Sequence, residues 1–317
     1  MSRSLIYGAV TKHAAVLSRF GAQAGFFARE GIDLTVQNVF GGPEMAAAVE
    51  SGAVHIGEVG TPPGLTAIGE GKRIRIVGSS LDRGLAFFLL TRADIRHWRD
   101  FKGKTVAALS RGSCGYWYLR DILAQNGVDP DRDVTFRHLG GDIDKQLELL
   151  AAGEIAGLLS GEPYLSLGER SGVARSWGAP QKLADVPSIQ WSIQIAGQDF
   201  IEREPDLLRD VLEIIRQTAH YVWRNPDEWI AFYRKLHNVD EEIARNSIKH
   251  EWPYFHFDGQ IDIPGLERAL DLQYRIGSTP RRLSRDEVLD LRYQPRPSAR
   301  APEDGAPDLP ATGAFQL

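Results

Sequence analysis

Gly103-Lys-Thr-Val-Ala-Ala-Leu-Ser-Arg-Gly-Ser-Cys-Gly-Tyr-Trp-Tyr-Leu-Arg-Asp-Ile-Leu-Ala-Gln-Asn126 is the stretch on which the reading of the fold turns. Thr105–Leu109 is a short apolar run with β-branched residues, the pattern of a buried strand. Arg111-Gly112-Ser113 interrupts it. Tyr116, Leu119, Ile122 and Leu123 then recur at helical spacing, and Asn126-Gly127 closes the helix. A strand that turns through Gly-Ser into a helix points free backbone N–H groups and the positive end of the helix dipole at one place. Such a place suits an anion or a polar oxygen. Many α/β proteins contain this turn with nothing bound, so its weight comes from the rest of the chain.

Working outward, the same device occurs twice. In the first copy, strands are expected at 5–10, 32–40, 54–59 and 74–77, with helices at 14–29, 42–49 and 61–68 between them. In the second, strands at 105–109, 134–139 and 155–159 alternate with helices over 114–126 and 141–150. Ala46–Gly57 lies against Leu147–Leu158 about one hundred residues away, and Gly31-Ile-Asp mirrors Gly127-Val-Asp. That spacing is too long for a solenoid repeat. It describes two βαβ lobes, each expected to hold a parallel sheet with helical crossovers. Ligands in open α/β sheets sit beyond the carboxyl ends of the strands. Here those ends are Thr11-Lys12-His13, Gly60-Thr61, Gly112-Ser113-Cys114 and Gly161-Glu162-Pro163-Tyr164, and two facing lobes would make them a cleft.

Leu85–Thr91 and Ile189–Ala196 read as two hinge strands joining the lobes, which suits closure by rotation. The expected division is lobe I, 1–88 and 193–293, and lobe II, 89–192. The helical patterns at 205–250 and 264–275 fall to lobe I. With five prolines and few apolar anchors, 294–317 is expected to be a disordered tail.

The 317 residues are enough for a large core and two lobes. Net charge is −5, so no basic excess points to nucleic acid, and no apolar run approaches a membrane span. A single cysteine, Cys114, rules out an intrachain disulfide and a thiolate metal cluster. No export leader is visible, because Ser4–Val10 already reads as a strand. The expected location is cytoplasmic if this start is native and periplasmic if a leader was removed.

Several stretches resemble the nitrate/sulfonate/taurine-type solute-binding proteins of ABC transporters: Gly21–Leu34, Val49–Gly57 and Lys102–Ala107. Thiamine-pyrimidine synthase relatives share the pattern. Glu162–Gly172 resembles that family's stretch after a second-lobe strand, where an acidic residue, Pro and Tyr line the cleft. The resemblance covers about residues 4–290. It implies an α/β type II periplasmic-binding-protein fold with one small anionic or polar organic ligand between the lobes. It also implies an ABC-transporter membrane component as partner. By carry-over, Thr11, His13, Thr61, Ser113, Cys114, Glu162 and Tyr164 fall at cleft contacts. Two departures bear on function. Transport members carry export leaders, and leaderless relatives include enzymes, namely an aromatic sulfinate desulfinase and the pyrimidine synthase, whose cysteine-rich motif is missing here.

Each candidate has a plainer alternative. Cys114 at a helix N-terminus would have a lowered thiol pKa and could act as a nucleophile, with His13 or His55 as base; it is otherwise a small filler of a tight turn. Lys12 and His13 meet an anion, or Lys12 points to solvent. Thr61 and Ser113, each between a strand end and a helix start, are the expected holders of the ligand's polar head. Glu162 opposes an anion and argues for a ligand carrying a donor or a cation. Tyr116, Trp117, Tyr164 and Trp191 form an aromatic wall or belong to the core. His237, His250 and His256 lack metal-ligand spacing, and no phosphate loop, dinucleotide fingerprint or serine elbow is present, so neither metal nor cofactor is expected. The expected function is binding without membrane insertion. The alternative is a decarboxylase- or desulfinase-type enzyme using Cys114 and His13.

Overall fold

The computed structural model describes residues 2–81, 87–254 and 259–296. Ten strands form two five-stranded sheets. They are β1 (Arg3–Ala9), β2 (Ile32–Asn38), β3 (Ile56–Gly60), β4 (Ile74–Leu81), β5 (Phe88–Arg92), β6 (Lys104–Ala108), β7 (Val134–His138), β8 (Gly157–Ser160), β9 (Ala174–Ser176) and β10 (Ser192–Gly197).

The orders are β2-β1-β3-β10-β4 and β7-β6-β8-β5-β9. Position by position the second repeats the first, so the duplication seen in sequence extends to topology. Each sheet departs from the expected all-parallel pattern at one place. β10 runs antiparallel to both β3 and β4, and β5 antiparallel to both β8 and β9. The odd strand arrives in each case from a crossing between sheets, and a chain entering that way meets its neighbours head to tail. β10 is buried along its whole length and β8 likewise, the condition of a central strand covered on both faces.

Local structure follows the sequence with three differences. The single helix expected over 14–29 is two, Val16–Gln23 and Phe26–Arg29, because Gly25 takes the left-handed conformation (φ 75°). The segment opening with Gly140 begins as a 3₁₀ turn, Gly140–Lys145, before the helix Gln146–Ala151. Of the hinge strand expected at 85–91, residues 85–86 lie outside the described residues, and pairing starts at Phe88. Most of the expected tail also lies outside them; Gln294 and Pro295 rest on Gly259 and Gln260 through side-chain-to-backbone hydrogen bonds.

The C-terminal helices, Pro205–Arg224, Pro226–His237, Glu241–Glu251 and Ile263–Arg275, are amphipathic and bury their apolar faces. Leu208, Val211 and Ile215 of the first pack with Leu17 and Phe20 on the helix after β1. Glu241–Glu251 also touches the helix Tyr164–Ser171 that follows β8, so it bridges the two sheets' surroundings. No described helix is long and apolar enough to cross a membrane.

Candidate functional site

A cavity of about 250 Å³ opens where the carboxyl ends of β1, β3, β6 and β8 face one another. Of the residues singled out by sequence, Thr11, His13, Gly60, Ser113, Cys114, Glu162, Tyr164 and Trp191 line it; Lys12, Thr61 and Gly112 do not. The four turns therefore do converge.

Thr61 is fully buried, and its hydroxyl donates to the carbonyls of Trp191 (2.8 Å) and Gln190. Its N–H is spent on the Trp191 carbonyl at 2.9 Å. Pro62 and Pro63, the next two helical positions, have no N–H at all. The oxygen-holding device expected at 61 is thus absent, and the residue instead ties this helix to the entry of β10. Ser113 does cap its helix, Cys114–Gln125, by accepting from the Tyr116 N–H at 3.3 Å. That leaves Cys114 and Gly115, both on the cavity wall, as the first-turn residues. Gly112 makes the left-handed turn before the cap (φ 85°).

Cys114 does not have the lowered thiol pKa expected of a helix N-terminus. Burial pushes it well up, because the desolvation cost of a thiolate exceeds the dipole's help. Its Sγ lies so close to Gly60 that a Cβ there would come within 2.1 Å. His55 is no partner for it: the ring stacks on Phe200 and its Nδ1 accepts from the Ile6 N–H at 2.9 Å, away from the cavity lining. Tyr116 and Trp117 leave the wall too, packing on each other, with Tyr116 also against Phe136. The aromatic wall consists of Trp191 and Phe87, edge to face at 4.9 Å, with Tyr164 opposite the first sheet's His13.

At one end of the cavity a polar chain joins the two sheets' loops. Lys12 Nζ lies 2.9 Å from Asp144, His13 Nε2 lies 2.8 Å from both Asp144 Oδ1 and the Tyr164 hydroxyl, and Tyr164 donates to Asp144 at 2.5 Å. Burial raises the Asp144 carboxyl, but the bonds from Lys12, Tyr164 and His13 outweigh it and hold it below the usual range. A carboxylate can only accept, so His13 carries its proton on Nε2. Its bare Nδ1 faces His237 Nδ1 at 2.6 Å, which must then donate. This leaves His237 Nε2 a lone pair sealed from solvent, without a donor among the described residues. Burial lowers both imidazoles, His237 to about 3, so the pair is neutral near pH 7.

Glu162, expected as an awkward cleft acid, is a fastener. Its carboxylate accepts from the Ser166 N–H (3.1 Å) and hydroxyl (2.9 Å), from the Ser247 hydroxyl (3.1 Å), and meets His250 Nδ1 at 2.5 Å. Glu251 on the same helix as Ser247 also lines the cavity; burial, with the Glu162 charge adding to it, pushes its carboxyl up to about 8 against a hydrogen bond from the Tyr233 hydroxyl. Deeper in, Glu58 accepts from the Tyr7 hydroxyl (3.0 Å) and from the N–H of Ala15 (3.1 Å), a non-glycine residue at φ 57°. Sequence reading missed Glu58, Phe87, Asp144 and Glu251 as parts of the site. It met His237 only as a metal candidate; no short-range motif marks any of them.

The sequence profile described as NMT1/THI5 like matches residues 11–229, more than half of the chain. The chain belongs to that family. Among relatives of this NMT1/THI5-like protein, YtlA of Bacillus subtilis is 23% identical over 233 residues, covering 71% of this chain and 68% of YtlA. The 4-amino-5-hydroxymethyl-2-methylpyrimidine phosphate synthase of Schizosaccharomyces pombe is 24% identical over 272 residues, 81% of this chain and 76% of the synthase. Among solved structures, the alkanesulfonate-binding protein SsuA of Xanthomonas axonopodis pv. citri, bound to MOPS, superposes with a TM-score of 0.72 at 20% identity, covering 88% of this chain and 95% of SsuA. The periplasmic-binding-protein fold expected from sequence is thereby established for this NMT1/THI5-like chain.

Proposed function

We propose that the protein binds one small organic molecule in the cavity between its sheets, as the substrate-binding component of an ABC-type uptake system. The observation that carries this is the convergence of four strand-end turns on one largely apolar cavity, with polar groups at its end. Closure would rotate lobe II (89–192) against lobe I (1–88 and 193–293), with the Lys12–Asp144 and His13–Tyr164 contacts forming as the lobes meet. A membrane permease would then read the closed shape.

The sulfonate reading suggested by SsuA finds support in the Ser113-capped helix start, but the matching support at Thr61 is missing. A second reading, an enzyme on this scaffold, is favoured by one observation, the Asp144–His13–His237 chain beside the cavity. Cys114 contributes little to it, since its thiol stays protonated.

The test is to equilibrate the protein with candidate ligands and recover them for mass spectrometry. Unchanged ligand that raises the melting temperature supports binding. Turnover abolished by His13→Ala supports the enzyme instead.

A further inference from the structure

Among the described residues, two that are not glycine adopt the left-handed conformation, Ala15 (φ 57°) and Asn238 (φ 53°). They stand beside the two stacked imidazoles, Ala15 two residues after His13 and Asn238 directly after His237. Asparagine is an accepted end to a helix in this conformation, and Asn238 closes Pro226–His237. Alanine is not, because its Cβ crowds the following carbonyl oxygen. A residue so strained persists only where its surroundings hold it.

Glu58 on β3 does the holding. One carboxylate oxygen accepts from the Ala15 N–H at 3.1 Å and the other from the Tyr7 hydroxyl at 3.0 Å. Tyr7 of β1 is fully buried, and Gln194 of β10 donates to its hydroxyl at 3.0 Å. Three neighbouring strands therefore fix the carboxylate from below. On one side of Ala15, the helix Val16–Gln23 starts with no side-chain cap. On the other, His13 reaches Asp144 and the Tyr164 hydroxyl on the second sheet's loops.

We propose that Glu58 is a positioning residue: by holding Ala15 left-handed it aims His13 at Asp144 and Tyr164, and so sets the polar bridge between the two sheets' loops. Without the carboxylate, Ala15 relaxes out of the left-handed region and carries His13 off its partners. A glycine at that position would stay in place unaided, since it takes the left-handed conformation at no steric cost. This goes beyond the binding reading and does not depend on it, because no ligand takes part.

The experiment is a double-mutant cycle by urea unfolding of the full chain without ligand, pairing Glu58→Met with Asp144→Ala. The same cycle is repeated in the Ala15→Gly background, with every variant's fold checked by circular dichroism. If Glu58 acts through the turn, the double variant should be less destabilised than the sum of the single ones. The expected shortfall is at least ~5-fold in the unfolding equilibrium constant, about 1 kcal/mol. In the Ala15→Gly background that coupling should vanish, because the turn then needs no holder. Additive costs with alanine at 15 would overturn the proposal and leave Glu58 a buried support for Tyr7. Coupling that survives Ala15→Gly would overturn it as well, since its route would bypass the strained residue. Should Glu58→Met not fold, Glu58→Gln keeps one neutral acceptor and must still show a coupling of at least ~3-fold. Ligand binding enters none of these outcomes, so the binding reading stands or falls separately.

Discussion

His13 Nδ1 lies 2.6 Å from His237 Nδ1, across 224 residues of sequence, with the two rings stacked at 4.7 Å. Two imidazoles so placed cannot both be charged, and burial lowers both below the ordinary histidine value. The folded pKa of His237, about 3, lies below its unfolded value, so the unfolded chain takes up a proton first as pH falls. Stability is therefore complete above pH ~6.5 and is lost progressively towards pH ~3. His237→Gln should flatten this acid limb in urea melts run from pH 7 to pH 4. An unchanged slope would show that the pair is not neutral in the folded protein.

Glu251 acts in the opposite direction. Its folded pKa, about 8, lies above the unfolded value, so the unfolded chain ionises first as pH rises. Its contribution is whole below pH ~4.5, declines up to pH ~8 and is flat beyond. Glu251→Gln should match wild type near pH 4.5 and exceed it by a few kcal/mol at pH 8. Equal melting temperatures at both pH values would count against a buried carboxyl that stays protonated in the folded protein.

Gly60 and Cys114 form a close pair that a double-mutant cycle can weigh. A Cβ at Gly60 would meet Sγ at 2.1 Å, so Gly60→Ala must displace a buried side chain, at about 1–3 kcal/mol. With Cys114→Ala already in place, the obstacle is gone and the remaining contact is ordinary. Gly60→Ala should then cost distinctly less in the Cys114→Ala background. Additive costs would mean that the sulfur is not the obstacle.

Asp144 gathers a lysine, an imidazole and a phenol from both sides of the cavity. Asp144→Ala removes an acceptor of charge-assisted bonds and should destabilise the protein by about 2 kcal/mol. If these contacts also close the cleft, small-angle scattering should report a larger radius of gyration for the variant. A variant as compact and as stable as wild type would assign them no such part.

The fold was legible because it rests on periodicity and on a repeat. The strand-turn-helix at 105–126 and its echo at the N-terminus placed the strand ends, and hence Thr11, His13, Cys114, Glu162 and Tyr164 together. What could not be read is what tertiary contact decides. Thr61 looked like a ligand contact because the residue type fits, but its hydroxyl and N–H are claimed by carbonyls some 130 residues away. Cys114 sits at a helix start as expected, yet how deeply a thiol is buried depends on elements distant in sequence. His237 and Glu251 end helices that carry no motif, and only the packing of those helices brings them to the cavity. The antiparallel strand in each sheet likewise reflects the path of the chain rather than its local pattern.

That path has a consequence for synthesis. Among the described strands, β4 pairs in its sheet only with β10, and β3 exposes on that side the edge that β10 will cover. A nascent chain leaving the ribosome can pair β1, β2 and β3 early, but β4 must wait more than a hundred residues for its neighbour. Until Gly197 has emerged, the first sheet carries an open edge, which is the surface a chaperone would recognise and the one a truncated product would keep permanently.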